Sequence, residues 1–574
     1  MSSTLPPPPP PPGGPTGGPP SGPPNGPPEY LESGGGAPAP QEPRRGSPVK
    51  KGILVGGGLV GLAAVGVGAW AAYSFFSTGP QPAEALPAKT LAYASIDLDP
   101  SGGQKIEALK TLNKFPAFKD YVGISSDDDL RKEIFSRIND SAGCDNLDYA
   151  DDVEPWLGDR AAFAAVDVGG DSPAPVIVVQ VKDADKADAG LDKIKGCGGS
   201  GQVGWKVDGD WAVIAESDEI AGKVVDATNK GSLADDSDFK KWTDEAGDPG
   251  VMTLYAGPAA GDYLADHADD LFGSGLGFVG QTCSQEASPD GTNPTTCSPG
   301  PLGGSAVSDN AKQKLRDFKG MAATVRFNNG AVELEVAGDS TLGGEAMLSG
   351  GGTADVVSSL PSNTGAVLGM GFKDGWFGDV IDYVAPYVDS TPDELESQLS
   401  DLTGLDLPAD AETLAGQSAA LVLGSDFDPA SLFFSPEASD GSDVPIAVKI
   451  QGNPDEIDKV LDKLRAQAGS GAKVLESDKN DDTIVFGPDS AFRADVLKDG
   501  GLGDNNVFKD VVREADKAQV VLFVNVDEFE NAIASAMGDS DQELVDNLKP
   551  VSGFGISEWQ DNGVTHAVIR LATD

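Results

Sequence analysis

The chain has 574 residues, a formal charge of −50, and only two His against 91 Asp and Glu. So large an acidic excess repels nucleic acid and anionic membrane surfaces, and attracts cations and cationic partners. The four Cys include no C-x-x-C pair, which argues against zinc or thioredoxin-type redox chemistry.

Residues 1–51 are mostly Pro, Gly and Ser, too poor in apolar side chains to offset the entropy of ordering, and read as a disordered tail. Residues 52–76 carry no charge and are long enough, as a helix, to cross a ~30 Å hydrocarbon core. Arg44, Arg45, Lys50 and Lys51 flank the near end, and Trp70, Tyr73, Phe75 and Phe76 sit near the far end. This asymmetry predicts a single-pass cell-membrane protein with its N-terminus cytoplasmic and its C-terminal body outside. Ala83-Glu84-Ala85 offers a passable signal-peptidase site, but the apolar run is longer and starts later than in a signal peptide. Gly57, Gly61, Ala64, Gly68 and Ala71 form a small-residue seam on one face of the span, a route to a homodimer through the anchor. The body beyond the span holds 37 basic and 88 acidic side chains.

After a linker at 77–85, the remaining sequence reads as two α+β repeats, 86–340 and 360–574, joined by a Gly-rich linker at 341–359. Five blocks recur in order. LPAKTLAYASIDL from Leu86 matches LPSNTGAVLGMGF from Leu360, and WLGDRAAFAAVDV from Trp156 matches LAGQSAALVLGSD from Leu414. The segments from Pro175 and Pro445, from Ser232 and Gly501, and from Met321 and Phe554 complete the set. An insertion at about 272–310 belongs to the first repeat alone. Ala162–Val168, Val176–Val181, Trp205–Val207 and Trp211–Ala215 are rich in β-branched and aromatic residues and predict strands. Asp208-Gly209, Asn329-Gly330 and Asn562-Gly563 predict hairpin turns. Amphipathic periodicity places helices at Asp185–Lys195 and Asp455–Leu464. The expected fold is two domains, each a largely antiparallel sheet with helices packed on one face.

The Pro/Gly-rich leader, the single apolar span, LPAKTLAYASIDL, KFPAFKDY and the block Trp156-Leu157-Gly158-Asp159-Arg160 together resemble an actinobacterial family, domain of unknown function 3352. The resemblance implies an envelope protein and brings no site residues with it. In the second repeat the block departs to Leu414-Ala415-Gly416-Gln417-Ser418.

Four Cys in an oxidising compartment imply two disulfides, with three possible connectivities. Cys283–Cys297 is favoured, stapling the inserted loop, with Cys144–Cys197 by default. No G-x-S-x-G, H-E-x-x-H or Walker A motif is present. His267 falls in a predicted helix Gly261–Leu271 among Asp266, Asp269 and Asp270, and reads as a surface residue; His566 falls in the last strand. Ser237-Asp238-Phe239-Lys240 has S-x-x-K spacing, but its counterpart Asn506-Val507-Phe508-Lys509 lacks the Ser, which points to a helix cap. Asp478, Asn480, Asp482 and Asp489 imitate a calcium loop, yet Thr483 stands where Gly is required. The densest carboxylate cluster is Asp145, Asp148, Asp151, Asp152 and Glu154, the best candidate for calcium if a metal site exists. No other cofactor is expected. The favoured function is a non-catalytic binding or interaction module of the cell envelope, contacting an envelope protein or a cationic ligand. The alternatives are an envelope-acting hydrolase using carboxylate pairs and a cation-binding structural surface protein.

Overall fold

The computed structural model describes residues 80–97, 103–121, 131–132, 135–136, 147–170, 172–197, 203–268, 281–285, 295–299, 309–340, 348–385, 390–427, 444–529 and 542–574. The Pro-rich tail, the apolar span with its Gly57-to-Ala71 seam, Cys144 and Asp145 lie outside the described residues. No described helix is long and apolar enough to cross a membrane.

In the first half the strands are β1 (Thr90–Asp97), β2 (Leu157–Val166), β3 (Ala174–Val181), β4 (Gly204–Asp208), β5 (Trp211–Ala215), β6 (Met252–Ala256), β7 (Gln281–Gln285), β8 (Thr295–Pro299), β9 (Met321–Asn328) and β10 (Ala331–Asp339). The second half has β11 (Thr364–Gly371), β12 (Ser418–Gly424), β13 (Ile446–Gln451), β14 (Ser477–Lys479), β15 (Thr483–Phe486), β16 (Val520–Asn525), β17 (Val551–Asp561) and β18 (Val564–Thr573). The fold is α+β, with helices set around one large antiparallel sheet.

The expected pair of separate sheets is instead a single sheet of sixteen strands, joined where β10 runs antiparallel to β18. Outward from β10 the order is β9, β6, β1, β2, β3, β5, β4; outward from β18 it is β17, β16, β11, β12, β13, β15, β14. The two halves thus carry the same strand order. Asn329 and Asn562 take φ of 52° and 51°, the left-handed conformation that an Asn-Gly turn uses at the matching hairpins. Counting from those turns, Glu335 and Val568 occupy equivalent places, and they face each other across the junction. A local two-fold relation of the backbone pairing therefore passes through that pair. An edge strand exposes unpaired N–H and C=O groups. Joining β10 to β18 covers two such edges at once, which composition and periodicity could not reveal.

Helices cover both faces of the sheet, not the expected single face. On β5, Trp211, Val213 and Ala215 pack with helix Asp218–Thr228 and with Trp242 of helix Ser237–Glu245. Ala212 and Ile214, alternating with them, pack with Ala187 and Leu191 of helix Ala184–Cys197. The second half repeats this: Ala447 and Val485 join one core, Ile450 and Ile484 the other, with Ile457 and Leu461 of helix Pro454–Ala468. Strands buried on both faces read as nearly continuous apolar runs, and β3 (APVIVVQV) is one.

Three boundaries shift. Pro82–Ala85, expected within a linker, is a short 3₁₀ turn with Ala83 and Ala85 buried. The linker expected at 341–359 contains helix Thr353–Ser358, whose Thr353, Val356 and Val357 are buried at the corresponding place. The β4–β5 turn is Gly209-Asp210, since Asp208 pairs with Trp211 and only Gly209 has positive φ (57°).

Candidate functional site

The acidic cluster and the Trp156–Arg160 block form one continuous piece of structure. Asp148 precedes the turn of helix Tyr149–Asp152, and its Oδ1 accepts from Asp151 N–H (3.0 Å), an ordinary N-cap. Asp152 is buried; its Oδ2 accepts from Asp148 N–H (3.1 Å), and its Oδ1 pairs with Lys193 on helix Ala184–Cys197. The hydrogen bond from Lys193 holds the Asp152 carboxyl below the usual range. Asp151 and Glu154 point to solvent. Among the described residues, no three His, Cys, Asp or Glu side chains converge as a metal would require. Asp148 therefore caps and Asp152 fastens, and the structure does not bring the described carboxylates together around a common point.

The block itself is equally engaged. Trp156 is buried, donates from Nε1 to Asp152 O (2.6 Å), and lies against helix Ala184–Cys197 at Gly190, where a Cβ would collide with the indole nitrogen. Gly158 is required by the neighbouring strand: a Cβ there would sit 2.6 Å from Gln180 Cβ. Asp159 binds Arg131 (2.8 Å) and Lys182 (3.3 Å). Arg160 is 4% exposed, pairs with Asp97 (3.4 Å), and donates from Nη1 to Pro80 O (2.5 Å). It lines a small cleft with Gln81, Ser95, Asp97 and Thr253, and ties Pro80 to β1 and β2.

The second half rebuilds the fastener with no Trp. Asp410 Oδ2 accepts from Asp406 N–H (2.7 Å) and from Lys463 Nζ (2.6 Å) of helix Pro454–Ala468. Burial alone would raise the Asp410 pKa, but hydrogen bonds from Lys463 and from Asp406 N–H bring it below the usual carboxylate range. Asp152 and Asp410 each lie four residues before Trp156 and Leu414, and Lys193 and Lys463 fall at the same place in LDKIK and LDKLR. Sequence reasoning missed both Lys residues, although the repeated Leu-Asp-Lys was the available signal.

The remaining candidates are accounted for locally. His267 ends helix Pro258–Asp266; its ring stacks on Tyr263 (4.2 Å) and its Nδ1 lies 2.9 Å from Tyr263 O, half-buried, while the expected neighbours Asp269 and Asp270 lie outside the described residues. His566 is buried, stacked on Trp559 (5.2 Å, 7°), with Glu245 3.8 Å from Nε2. Burial pulls its pKa down, against the opposing pull of Glu245. Ser237 is the first helical residue, not the cap: Asp236 caps that helix and Asn505 caps its counterpart, one position earlier than expected. Asp489 caps helix Ser490–Val496, and Asp478 pairs with Arg493 (2.8 Å). Cys283 faces Cys297 directly in the two-stranded β7–β8 sheet.

A second charged cluster, unforeseen in sequence, lies at the junction of the halves. Arg570 (1% exposed) pairs with Glu333, which also faces Arg326 (3.5 Å) and Arg513 (3.8 Å), while Arg326 pairs with Glu335. At the place symmetry-related to the Glu333–Arg570 pair stand Ala337 and His566. The halves thus share a backbone plan but differ in side-chain chemistry at the seam.

A family profile described as "Protein of unknown function (DUF3352)" matches residues 54–444, more than half of the chain. The chain belongs to that family. The DUF3352 match takes in the whole first half and the second half as far as the residue before Pro445, just ahead of β13. No curated protein and no solved structure matches the chain.

Proposed function

We propose that this DUF3352 protein is a membrane-tethered, extracytoplasmic interaction module of the cell envelope, non-catalytic in its binding role, whose acidic body engages a cationic partner or envelope protein. The observation that carries this reading is the use made of the Trp156–Arg160 block. Its Trp fills the core, its Gly lets two strands approach, and its Asp and Arg are ion-paired, so the block builds a rigid support. The charge-free run 52–76 with its basic flank supports the tether and its direction. The five recurring blocks and the repeated strand order support an internal duplication that left two copies fused through β10 and β18. The facing positions of Cys283 and Cys297 support a disulfide stapling the inserted loop.

Mild cross-linking of intact cells expressing the full chain, followed by affinity purification, tests the binding role. A partner rich in Lys and Arg, lost when salt is raised during capture, is the expected result. Recovery of the chain alone, at any salt, overturns it. Protease added to whole cells tests the topology separately, since an outward-facing body is cut beyond residue 78.

A further inference from the structure

Lys449, on β13, is 5% exposed. Among the described residues the hydrogen bonds of its side-chain amine all go to Ser359: Nζ lies 2.8 Å from Oγ and 3.4 Å from the backbone carbonyl. Ser359 ends helix Thr353–Ser358 and is half-buried; its Oγ also lies 3.3 Å from Val356 O. The first half differs at both equivalent places. Ser359 lies one residue before Leu360, as Ala85 lies before Leu86. Lys449 pairs with Ala420 on the neighbouring strand, as Val178 pairs with Ala162. Aligning Pro175 with Pro445 would instead set Lys449 against Val179, one residue away from the match that the strand pairing gives. Where one half keeps two buried apolar residues, the other has a hydroxyl and an amine in contact.

We propose that Ser359 and Lys449 form a nucleophile–base pair, and that Ser359 accepts an acyl group from an activated carbonyl donor such as an aryl ester or thioester. In the neutral amine form, the Nζ lone pair takes the Oγ–H proton as Oγ attacks the carbonyl carbon. The new Oγ–C bond forms, the bond from carbon to the leaving group breaks, and the proton held on Nζ passes to the departing oxygen or sulfur. The products are an O-acylated Ser359, the free alcohol or thiol, and Lys449 returned to its neutral form. Burial lowers the Lys449 pKa, against the opposing pull of Asp499 and Asp482, and so enlarges the fraction able to act as base. This acceptor role goes beyond the binding reading and stands or falls separately from it.

The competing role for Lys449 is a fixed cation closing the C-terminal end of helix Thr353–Ser358. The full chain is incubated with p-nitrophenyl acetate, and acetylated residues are mapped and timed by peptide mass spectrometry. The expected result is rapid, stoichiometric acetylation of Ser359, absent in Ser359→Ala. It is slowed on the order of 10²-fold in both Lys449→Met and Lys449→Arg, the loss that removing a positioned base brings. Arg preserves the cation but cannot serve as a base, so a capping role predicts that Lys449→Arg keeps the rate. The wild-type rate should rise with pH to a plateau reached below the ordinary lysine range. Thermal melts of each variant confirm that the compared proteins are folded. The proposal is overturned by no faster acetylation at Ser359 than at exposed serines elsewhere in the chain, or by an unchanged rate in folded Lys449→Arg.

Discussion

Replacing Glu333 with Gln tests whether the junction between halves depends on its buried charges. Glu333 is the common acceptor for Arg570, which is almost fully enclosed, and it also faces Arg326 and Arg513. The Gln side chain keeps the volume and removes the charge. Arg326 retains Glu335, but Arg570 is left as a buried guanidinium without the carboxylate that pairs with it directly. Uncompensated burial of this kind costs about 3–5 kcal/mol. Unfolding entropy of about 2 cal/mol/K per residue amounts to about 1 kcal/mol/K for a body of roughly 500 residues, so the melting temperature should fall by about 3–5 °C. Differential scanning calorimetry measures this directly. The double variant Glu333→Leu/Arg570→Met removes both charges and should recover most of the loss, because a packed apolar pair needs no counter-ion. A loss below about 1 kcal/mol in the single variant, or a double variant as unstable as the single one, refutes the claim that the pair holds the seam.

Three further outcomes are expected. Gly190→Ala lies within a helix, where the exchange ordinarily stabilises by about 1 kcal/mol, but here the new Cβ meets the Trp156 indole, so urea denaturation should show a loss of about 1–3 kcal/mol. Its absence would mean that Trp156 can move aside. Burial raises the Glu558 pKa, so the folded state binds the proton more tightly than the unfolded chain; stability is fully present below about pH 4.5 and declines as pH rises through the raised value. Glu558→Gln should therefore be more stable than the parent at neutral pH and equal to it in acid, as read from denaturation midpoints against pH. Asp410 has the opposite sign: its lowered pKa gives stability that is present above the ordinary carboxylate value and lost as pH falls through the folded one. Asp410→Asn should flatten that acid-side decline, and an unchanged pH slope would place the acid sensitivity elsewhere.

Several features were legible in the amino-acid sequence itself. Period-two and period-3.6 apolar patterns follow from backbone geometry alone, so the hairpins around Asn329 and Asn562 and helices Ala184–Cys197 and Pro454–Ala468 could be placed locally. The order of the recurring blocks foreshadowed the repeated strand order, because equivalent segments occupy equivalent positions in it. The Asn at 506 in place of Ser237 pointed to a helix N-terminus at both places, although the capping residue is the neighbour, Asp236 or Asn505.

What tertiary structure alone decided was long-range pairing and burial. Nothing in β10 or β18 states that each is the other's neighbour, since strand pairing links residues more than 200 positions apart and any apolar strand offers the same backbone groups. Burial of both sheet faces came from the packing of helices that a single strand cannot specify. The charged residues show the same limit most plainly. Asp152, Arg160, Glu333 and Lys449 are indistinguishable in sequence from solvated neighbours, and their roles follow only from which partner the fold places within hydrogen-bond reach.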